Sequence, residues 1–598
     1  LEDDQGSRRD VRRFLAVATA TPLTIGSLAP VTDILEAARA WIAGDPDPET
    51  SAALQRMIDS GDVSALERAM GERLSFGTAG IRGEVGPGSN RMNRAVVIKT
   101  TRGLADYLIE QGGGLPDAPV ILGFDARPSS RQFAEDAVGV LAAAGIQVSF
   151  FPEVTPTPLV AYTAKHVGAS AAVVITASHN PPADNGYKVY GANAAQIIPP
   201  VDTAIAAAID EVGPAVDVPR LEGVFAGSSD LVTPVPEEIF ESYREEVDGS
   251  RPNPQTSDFR IVYTPLHGVG ARILNRLSAQ AHHSGIITVP EQAEPDGRFP
   301  TVSFPNPEEP GALDLALALA EKEQAALLIA NDPDADRLAA AVPSAGEWRL
   351  LSGNELGVLL GDYVLRYWRD PQPPIVVNSA VSSPMLGEIA GKRGARHEVT
   401  LTGFKWIINA GLILEARGEG RFAFGYEEAL GYSIGRTVRD KDGISAALVL
   451  CDLVAEERAQ DRTLLDRLHD LWGEVGLWVS AQHSIGRTGP TGQEEIGRAV
   501  EMLAEKPPTT VGGHEVVSVT DYRVDAASRP IWLGEQDLIE IRLTDAGRVL
   551  VRPSGTEPKL KVYVDLRGDP GSDPEAEHRH LTARAAEMAE EVGEGLTF

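Results

Sequence analysis

The sequence has little cysteine and a shortage of positive charge, and each shortage excludes a class of protein. Its single cysteine, Cys451, rules out an intramolecular disulfide and a cysteine-rich metal site. Lysine and arginine together number 54, against 86 aspartates and glutamates, so the formal net charge is -32 at pH 7. A nucleic-acid-binding protein needs a basic face, and this balance therefore argues against that function.

Long apolar runs are also missing, and no stretch beyond residue 31 predicts a membrane-spanning helix. Near the amino terminus, four arginines precede an uncharged stretch at 14–31, an order that superficially suits a secretion signal. The arginines are Arg8, Arg9, Arg12 and Arg13. Threonines, Gly26, Ser27 and two prolines dilute the apolar stretch, so we expect no export signal and a cytoplasmic protein.

The length and the hydrophobic pattern predict several α/β domains. A chain of 598 residues predicts about three to five domains, and 43% hydrophobic residues suits a globular protein with large cores. Three segments read as strand, short loop and helix: 120–145, 260–280 and 374–394. A proline-rich stretch at 212–236 is a candidate connection between the first two domains.

Two further patterns concern the second half of the chain. Residues 444–454 have apolar positions at helical spacing, which predicts that Cys451 fills a core. From residue 511 onward the pattern predicts a separate set of strands.

The segment 176–181, Thr-Ala-Ser-His-Asn-Pro, follows an apolar run at 169–175 that predicts a buried strand. Two consecutive prolines stiffen the chain after it, so Ser178 is displayed at a strand end, where open α/β sheets carry their chemistry. A lone loop serine more often caps a helix or completes a turn. His179 does not make it a hydrolase serine, because a catalytic triad is assembled across the fold.

A second loop, at 331–337, carries three aspartates at alternate positions after a strand-like segment at 325–330. Asp332, Asp334 and Asp336 can converge on one hard cation, and oxygen ligands suit Mg²⁺ better than a soft metal.

Three alternatives compete with a magnesium loop. A calcium-binding EF-hand loop needs glycine at its sixth position and glutamate at its twelfth, where this sequence has Arg337 and Pro343. An aspartyl-phosphate enzyme of the haloacid dehalogenase type has Asp-x-Asp-Gly-Thr, which residues 335–338 do not match. On this loop alone, a solvated acidic turn stays open.

A third loop, at 552–559, follows a strand predicted at 548–551. Its two hydroxyls and the backbone N–H groups around its glycine form a concave set of donors for an anion. Arg552 is able to grip a phosphate through two parallel hydrogen bonds, and Lys559 lies at the other end. A Ser-Gly-Thr turn is usually structural, but these flanking cations favour an anion site.

Together, the three loops resemble those of the α-D-phosphohexomutase superfamily, the phosphoglucomutases and phosphomannomutases. Residues 76–83, Phe-Gly-Thr-Ala-Gly-Ile-Arg-Gly, look like its N-terminal signature, and residues 425–432, Gly-Tyr-Glu-Glu-Ala-Leu-Gly-Tyr, look like its sugar loop. The five motifs occur in the family's order within residues 41–565. The length and residues 402–405, Thr-Gly-Phe-Lys, are most similar to the long branch that includes phosphopentomutases and glucose-1,6-bisphosphate synthases.

The resemblance implies an α/β protein of four domains around a central cleft, with three similar mixed α/β domains and a C-terminal α+β domain. The expected limits are a tail and lead-in at 1–40, followed by domains at 41–215, 216–345, 346–470 and 471–598. These domains would carry, in that order, the phosphoserine, metal, sugar and phosphate loops.

The resemblance also implies a phosphosugar mutase whose phosphoryl group is stored on Ser178. Mg²⁺ would be held by a phosphoryl oxygen on Ser178 and by the three aspartates of the loop at 331–337. Transfer to a sugar hydroxyl would be in line, with Arg82, Arg337 and the metal offsetting the charge on the oxygens. A sugar bisphosphate intermediate then returns its other phosphate, so that phosphate moves between carbon 1 and carbon 6, or carbon 5 of a pentose.

Further roles follow from the same resemblance. His179 and Lys188 occupy the family's acid/base positions, and the sequence leaves open which one acts. The residues implied in substrate binding are Thr402, Gly403, Lys405, Glu427, Ala429 and Lys441 for the sugar, and Arg552, Ser554, Gly555, Thr556 and Lys559 for the non-reacting phosphate. The lysines and arginines among these residues would make the binding site locally positive, so that it can bind an anionic sugar phosphate although the chain as a whole is acidic.

The identity of the sugar is less constrained. Hexose-specific relatives usually carry Glu-x-Ser in the sugar loop, whereas Glu427 is here followed by Glu428 and Ala429, so that one hydroxyl contact is missing. A buried sugar hydroxyl without its partner costs about 1 to 3 kcal/mol, which alters selectivity by about ten- to a hundredfold.

We therefore expect a phosphoglucomutase or phosphomannomutase, with a phosphopentomutase or glucose-1,6-bisphosphate synthase as the alternative. A metal-dependent sugar phosphatase and a non-catalytic sugar-phosphate sensor are weaker alternatives. The expected cofactors are Mg²⁺ and a sugar 1,6-bisphosphate activator. The expected partners are sugar phosphates, without nucleic acid or membrane, and the expected assembly is a monomer or small homo-oligomer.

Overall fold

The computed structural model describes residues 31–487, 492–554 and 559–596. By its internal contacts the chain forms two compact units. Unit 1 contains the described parts of Leu1–Arg251, Thr256–Arg349 and Arg436–Leu448. Unit 2 contains the described parts of Pro252–Gln255, Leu350–Gly435 and Val449–Phe598. Within the described ranges, no helix is both long enough and apolar enough to cross a membrane.

Unit 1 begins with three short helices, α1 (Val31–Gly44), α2 (Pro48–Ser60) and α3 (Val63–Met70). Asp47 caps α2 by accepting the N–H of Glu49, and Gly61 ends it in the left-handed region at φ 68°. The apolar faces of the three helices pack around Leu54 and Leu66. Of the tail and lead-in predicted at 1–40, residues 1–30, which include the four arginines, lie outside the described residues.

The first sheet has the strand order β1-β5-β4-β2-β3-β6. Its elements are β1 (Ile81–Glu84), α4 (Arg94–Gly112), β2 (Val120–Phe124), α5 (Ser130–Ala143), β3 (Val148–Phe150), α6 (Thr157–Val167), β4 (Ala171–Ile175), β5 (Asp184–Tyr190), α7 (Val201–Asp210) and β6 (Val232–Pro234). Strands β2 and β4 are parallel and every residue in them is buried, as expected for apolar runs in the middle of a covered sheet. The serine loop, residues 176–184, starts where β4 ends and leads into β5.

The second sheet of unit 1 has the order β11-β10-β9-β7-β8. Its elements are α8 (Glu238–Ser250), β7 (Ile261–Thr264), α9 (Ala271–Gln280), β8 (Ile286–Thr288), α10 (Asp314–Lys322), β9 (Leu327–Ala330), β10 (Ala339–Ser344) and β11 (Glu347–Leu350). Strands β7, β8 and β9 run parallel, whereas β10 is antiparallel to β9. The aspartate loop, residues 331–337, connects β9 to β10.

Unit 2 contains a four-stranded sheet of order β13-β12-β14-β15 and a six-stranded antiparallel sheet of order β16-β21-β20-β19-β18-β17. The elements of the four-stranded sheet and the helices that follow are α11 (Gly353–Arg366), β12 (Pro374–Ser379), α12 (Met385–Arg393), β13 (Arg396–Thr400), α13 (Phe404–Ala416), β14 (Arg421–Glu427), β15 (Gly431–Ile434), α14 (Gly443–Arg458) and α15 (Leu464–Val475). The remaining elements are β16 (Leu477–Gly486), α16 (Gly492–Glu505), β17 (Thr510–Val511), β18 (His514–Asp521), β19 (Ile539–Leu543), β20 (Arg548–Pro553), β21 (Lys559–Gly568) and α17 (Pro574–Gly595). Helix α14 begins within the part of the chain assigned to unit 1.

The predicted fold class is confirmed, with three mixed α/β sheets followed by an antiparallel sheet and its helices. Each of the three predicted strand-loop-helix segments is present, as β2 with α5, β7 with α9 and β12 with α12. Cys451 is buried on α14, as the helical spacing predicted.

Two details of the organisation differ from the sequence-based expectation. The stretch at 212–236 is more than a connection, because it supplies β6, which pairs in parallel with β3 at the edge of the first sheet. The last set of strands begins with Leu477–Gly486 rather than near residue 511. Most residues in the second half of that strand are exposed or partly exposed, so they lack the apolar pattern that marks a core strand.

Candidate active site

Ser178 lies in the loop that follows β4, and it is 2% exposed. Its backbone is in the left-handed region at φ 52°, a conformation that costs a residue with a side chain about 1 to 3 kcal/mol. Its N–H donates to Thr176 Oγ1 over 2.8 Å. Its hydroxyl donates to Asp332 Oδ2 over 2.7 Å and lies 3.2 Å from His179 Nδ1. The loop therefore directs the serine oxygen at the aspartate loop of the second sheet.

The three predicted aspartates lie together, fully buried, at the end of β9. A turn closed by the Ala335 N–H and the Asp332 carbonyl, with Ala335 at φ 59°, folds the loop back on itself. As a result, one ligand atom from each of Asp332, Asp334 and Asp336 lies within 4.8 Å of the other two.

The chemistry of the triangle fits a hard divalent cation such as Mg²⁺. In each of Asp334 and Asp336, Oδ2 accepts a hydrogen bond from a lysine, while Oδ1 is buried and has no hydrogen-bond partner among the described residues. Buried carboxylate oxygens without partners are costly unless a cation or a donor compensates them. Oxygen donors of this kind are the ligands that Mg²⁺ prefers.

Two lysines that are far apart in the sequence contact the aspartates. Lys188 on β5 is 1% exposed, and its Nζ lies 2.6 Å from Asp334 Oδ2 and 2.9 Å from Asp336 Oδ2. Lys441 Nζ lies 2.9 Å from Asp336 Oδ2 and 3.3 Å from Asp440 Oδ1. Burial alone would lower the pKa of Lys441, but the two adjacent carboxylates raise it overall, so this lysine is a permanent cation.

The two predicted arginines belong to the same cluster. Arg337 Nε lies 3.9 Å from Asp332 Oδ2 and 4.0 Å from Asp336 Oδ1. Arg82 lies on β1, opposite Gly186 on β5. Burial, and then the charges of these two arginines, lower the pKa of His179 well below its ordinary value, so its imidazole is neutral.

Gly80 explains how the signature segment brings Arg82 to this place. Its φ is 77°, and a Cβ there would lie 1.9 Å from the Tyr187 carbonyl oxygen. Only glycine permits this approach of β1 to β5, the strand that carries Lys188. Unit 1 thus brings together the serine, the histidine, both lysines, both arginines and the three aspartates that the sequence singled out.

The sequence missed two residues of this cluster. Asp440 accepts the Tyr190 hydroxyl over 2.6 Å and holds Lys441 beside the aspartates. Arg127 donates to backbone carbonyls of the serine loop, including that of Ser178. No local pattern indicated Arg127, because its role depends on β2 being the parallel neighbour of β4 in the sheet.

In unit 2, the predicted sugar loop lies between β14 and β15, next to the loop that precedes α13. The Gly403 N–H donates to Glu427 Oε1 over 2.7 Å, with Gly403 at φ 109°. Gln536 contacts Thr402 twice, since its amide N donates to Thr402 Oγ1 over 2.7 Å and its Oε1 accepts the Thr402 N–H over 3.3 Å. No sequence pattern indicated Gln536. Lys405 lies in the first turn of α13, and Ala429 lies in the turn before β15.

Glu428 has its own set of partners in unit 2. Its Oε2 accepts from Ser379 Oγ over 3.2 Å and from Ser382 Oγ over 3.1 Å. Its N–H donates to Ser382 Oγ over 3.0 Å. Burial, and then the charge of Glu427, raise the pKa of the Glu428 carboxyl to about 7. Glu428 is the neighbour of Ala429, which stands where hexose-specific relatives have serine. A carboxyl with a pKa near neutral therefore lies next to that position.

The phosphate loop lies between β20 and β21, which pair in antiparallel fashion. Arg552 is on β20, opposite Lys561, and the Ser554 N–H donates to the Lys559 carbonyl over 2.7 Å. Lys559 is the first residue of β21. Gly555 and Thr556, the other two predicted phosphate ligands, lie outside the described residues.

Comparisons with known proteins agree with this arrangement. Family models described as phosphoglucomutase/phosphomannomutase alpha/beta/alpha domains I, II and III match residues 73–215, 241–346 and 352–475, and the model of the C-terminal domain matches 515–571. A probable phosphomannomutase of Haemophilus influenzae is 41% identical over 490 residues, covering 81% of this chain and 94% of that protein. Phosphopentomutase of Mus musculus is 36% identical over 609 residues, covering 97% of each. The structure of the phosphoglucomutase parafusin from Paramecium has a TM-score of 0.65 and 16% identity, covering 86% of this chain and 95% of that chain, and so shares the fold.

Proposed function

The chain belongs to the phosphoglucomutase/phosphomannomutase family and is a phosphosugar mutase, and we propose that it works through a phosphoryl group carried on Ser178. The contact between Ser178 Oγ and Asp332 Oδ2 carries this proposal, because it directs a buried hydroxyl at three clustered carboxylates and four cations. A solvated acidic turn would not be fully buried, and a structural serine would not need this surrounding.

We propose that Asp332, Asp334 and Asp336 hold Mg²⁺, together with an oxygen of the phosphoryl group on Ser178. When bound, the ion neutralises charge on the phosphoryl oxygens and orients them. The unpartnered Oδ1 atoms of Asp334 and Asp336 support this assignment.

The transfer itself is assigned to the residues of unit 1. The phosphoryl group leaves Ser178 Oγ for a sugar hydroxyl oxygen, and Arg82 and Arg337 offset the charge on its oxygens. His179 or Lys188 takes the hydroxyl proton, which yields a sugar bisphosphate. In the second half, the other phosphoryl group passes to Ser178 Oγ, and the same base returns a proton to the departing sugar oxygen.

Unit 2 supplies the proposed substrate contacts. The residues assigned to the sugar are Glu427 and Ala429 of the sugar loop and Thr402, Gly403 and Lys405 of the segment at 402–405. Lys441, in unit 1, is proposed as a further cation for the substrate. The non-reacting phosphate binds the loop of Arg552, Ser554, Gly555, Thr556 and Lys559. The hydrogen bond from the Gly403 N–H to Glu427 joins the segment at 402–405 to the sugar loop, which supports a shared role for them in sugar binding.

A glucose or mannose phosphate is the proposed substrate, with a pentose phosphate as the second candidate. Ala429 favours the second candidate, because it lacks the hydroxyl that follows Glu-x in hexose-specific relatives. The full-length similarity to a phosphopentomutase points the same way. A sugar 1,6-bisphosphate activator, a cytoplasmic location, a monomer or small homo-oligomer, and the four domain limits stay predictions.

The test is a coupled assay with the 1-phosphates of glucose, mannose, ribose and deoxyribose, each with and without a sugar bisphosphate primer. We expect isomerisation of at least one of them, stimulation by the primer, and transfer of labelled phosphate from the primer to the protein. Ser178→Ala should abolish turnover and labelling. Ser170→Ala is the matched control, because the hydroxyl of Ser170, just before β4, donates to the Ala118 carbonyl. Release of inorganic phosphate without isomerisation, or full turnover by Ser178→Ala, would contradict the proposal.

A further inference from the structure

The Arg127 guanidinium donates four hydrogen bonds to backbone carbonyls of the serine loop. Its Nη1 donates to the carbonyls of Pro181 and Asp184 over 2.6 and 2.7 Å. Its Nη2 donates to the carbonyls of Ser178 and Asn180 over 2.9 and 2.6 Å. A guanidinium has five N–H donors in one rigid plane, so a single side chain fixes four peptide groups of one loop.

These four bonds answer a physical problem of the loop. Ser178 adopts a left-handed backbone that persists only when its surroundings over-determine it. The loop also has to tolerate a phosphoryl dianion, which backbone carbonyl oxygens would repel. Carbonyls that are bound to Arg127 cannot turn toward that anion, so the same bonds stabilise the strained backbone and keep the negative ends of its dipoles away.

Arg127 is itself held on its own side of the sheet. It is 3% exposed, and its Nε lies 3.3 Å from Asp125 Oδ2. The other oxygen of Asp125 accepts the Arg127 N–H over 3.0 Å and the Ser130 hydroxyl over 2.5 Å. A buried arginine paired in this way has one available orientation.

A turn at 296–299, which belongs to none of the five sequence motifs, also packs against Arg127. The Arg127 guanidinium carbon lies 5.2 Å from the centre of the Phe299 ring, a cation–π distance. A Cβ on Gly297 would lie 2.3 Å from the Arg127 Cα. The turn therefore packs against both the side chain and the backbone of Arg127.

The same turn is bonded to the support of the aspartate loop. The Asp296 N–H donates to the His267 carbonyl over 2.9 Å. His267 and its neighbour Leu266 both have positive φ, and their loop lies against Pro333, since the Val269 N–H donates to the Pro333 carbonyl over 2.8 Å. Pro333 lies between two of the proposed metal ligands.

We propose that Arg127 is the positioning residue of the serine loop, and that the turn at 296–299 fixes Arg127 relative to the aspartate loop. The proposal rests on the proposed phosphoserine mechanism. In this proposal Arg127 acts through the serine loop and not on the substrate directly. It sets the direction of the Ser178 oxygen, so that the phosphoryl group is presented in line to the sugar hydroxyl and shielded from water.

The main test compares Arg127→Lys with the wild-type enzyme after both are labelled with glucose 1,6-bisphosphate. Lysine keeps the charge but cannot reach four carbonyls in one plane. A displacement of about 1 Å in the reacting geometry costs about a hundredfold in rate, so we expect a fall of that order in kcat with little change in KM. We also expect a larger share of the label to be released as inorganic phosphate, and a shifted ³¹P resonance of the phosphoserine.

Phe299→Leu is the second variant, because it removes the ring while keeping every residue of the serine loop and the Arg127 fork. We expect the same split between kcat and KM with a smaller loss. Both variants act through one guanidinium, so the loss in the double variant should be less than the product of the single losses. Arg131→Lys is the control and should behave as wild type, since Arg131 stacks on Phe225 at 5.3 Å, pairs with Glu135 over 3.3 Å and donates to the Pro152 carbonyl.

Several outcomes would overturn the positioning role. One is an Arg127→Lys enzyme whose activity falls only in proportion to its folded fraction, measured by thermal unfolding. Others are a rise in KM at unchanged kcat, or losses from the two variants that multiply independently. A wild-type enzyme that takes no label on Ser178 would instead remove the proposed function, and that result is separate because it is seen before any variant is made.

Discussion

Ser178 and Asp332 are 154 positions apart in the sequence, and the hydroxyl of the first donates to a carboxylate oxygen of the second over 2.7 Å. The bond joins the end of β4 in one sheet to the end of β9 in another. A hydrogen bond to a charged acceptor is short and about twice as strong as one between neutral groups. The oxygen proposed to receive the phosphoryl group and the carboxylates proposed to hold the cation are therefore joined directly, and a change in either is expected to affect both.

Removing one carboxylate from the triangle should weaken divalent binding. Asp336→Asn removes a charge from a group of three oxygen ligands, and we expect Mn²⁺ to bind at least about tenfold more weakly. Binding is measured directly by the paramagnetic resonance of free Mn²⁺ in the absence of substrate, with Mg²⁺ as competitor. EDTA should also stop turnover of the wild-type enzyme.

The control for this experiment is Glu110→Gln, which removes one negative charge from the exposed surface of α4. Its Mn²⁺ affinity should equal that of wild type. Unchanged affinity in Asp336→Asn would show that the triangle is not the divalent site.

A second prediction concerns stability rather than catalysis. Asp362 on α11 is completely buried and faces three arginines, with contacts of 3.0 Å to Arg366, 2.8 Å to Arg393 and 2.7 Å to Arg467. Asp362→Ala leaves these charges without their common partner, and we expect the free energy of unfolding to fall by about 3 to 5 kcal/mol. KM should not change in the fraction that remains folded. Urea unfolding is the measurement, and the exposed Glu505→Ala should stay within about 0.5 kcal/mol of wild type.

Asp362 would be less important than this geometry indicates if its alanine variant unfolded at the wild-type urea concentration. A matching loss in Arg467→Met, which removes one cation from the same group, would show that the charge cluster is the cause.

A third prediction tests the sugar loop through a glycine that touches it. A Cβ on Gly353 would lie 1.7 Å from the Glu428 carbonyl oxygen, closer than any packing permits. Gly353→Ala should therefore displace the backbone of the loop that carries Glu427 and Glu428. We expect KM for the sugar phosphate to rise, with the labelling of Ser178 by a bisphosphate primer less affected.

The matched control is Gly473→Ala on α15, where an added Cβ meets nothing within 4 Å. Alanine in a helix is more favourable than glycine by about 0.5 to 1 kcal/mol, so this variant should be at least as stable as wild type and fully active. Wild-type KM in Gly353→Ala would remove the sugar loop from substrate binding.

Local pattern was enough to predict the parts of the site that follow strands. The apolar run before Ser178 and the run before Asp332 each ended where the structure ends a strand, and the alternating aspartates did converge. Arg127 was not predicted, because its role depends on β2 and β4 being neighbours, which no local pattern contains. Gln536 was missed for the same reason, since its partner Thr402 is 134 positions away. Strand β16 was missed because much of it is exposed.

The last prediction follows from the raised pKa of Glu428. Burial, and then the neighbouring charge of Glu427, raise the pKa of this carboxyl to about 7 from its ordinary value of 4.5. Between these two values the unfolded chain is ionised at this position while the folded protein keeps the proton. The folded state binds more protons in this window, so the free energy of unfolding falls as pH rises through it.

Glu428→Gln should remove this part of the pH dependence. Glutamine keeps a carbonyl oxygen for the hydroxyls of Ser379 and Ser382 but has no proton to lose. We therefore expect the variant to lose less stability than wild type between about pH 5 and about pH 8, and to differ least from it at the acidic end. Urea unfolding across this range is the measurement, and the exposed Glu505→Gln should keep the wild-type slope. Equal slopes in Glu428→Gln and wild type would mean that the Glu428 carboxyl is already ionised well below neutral pH, and that the serines then bind a carboxylate throughout.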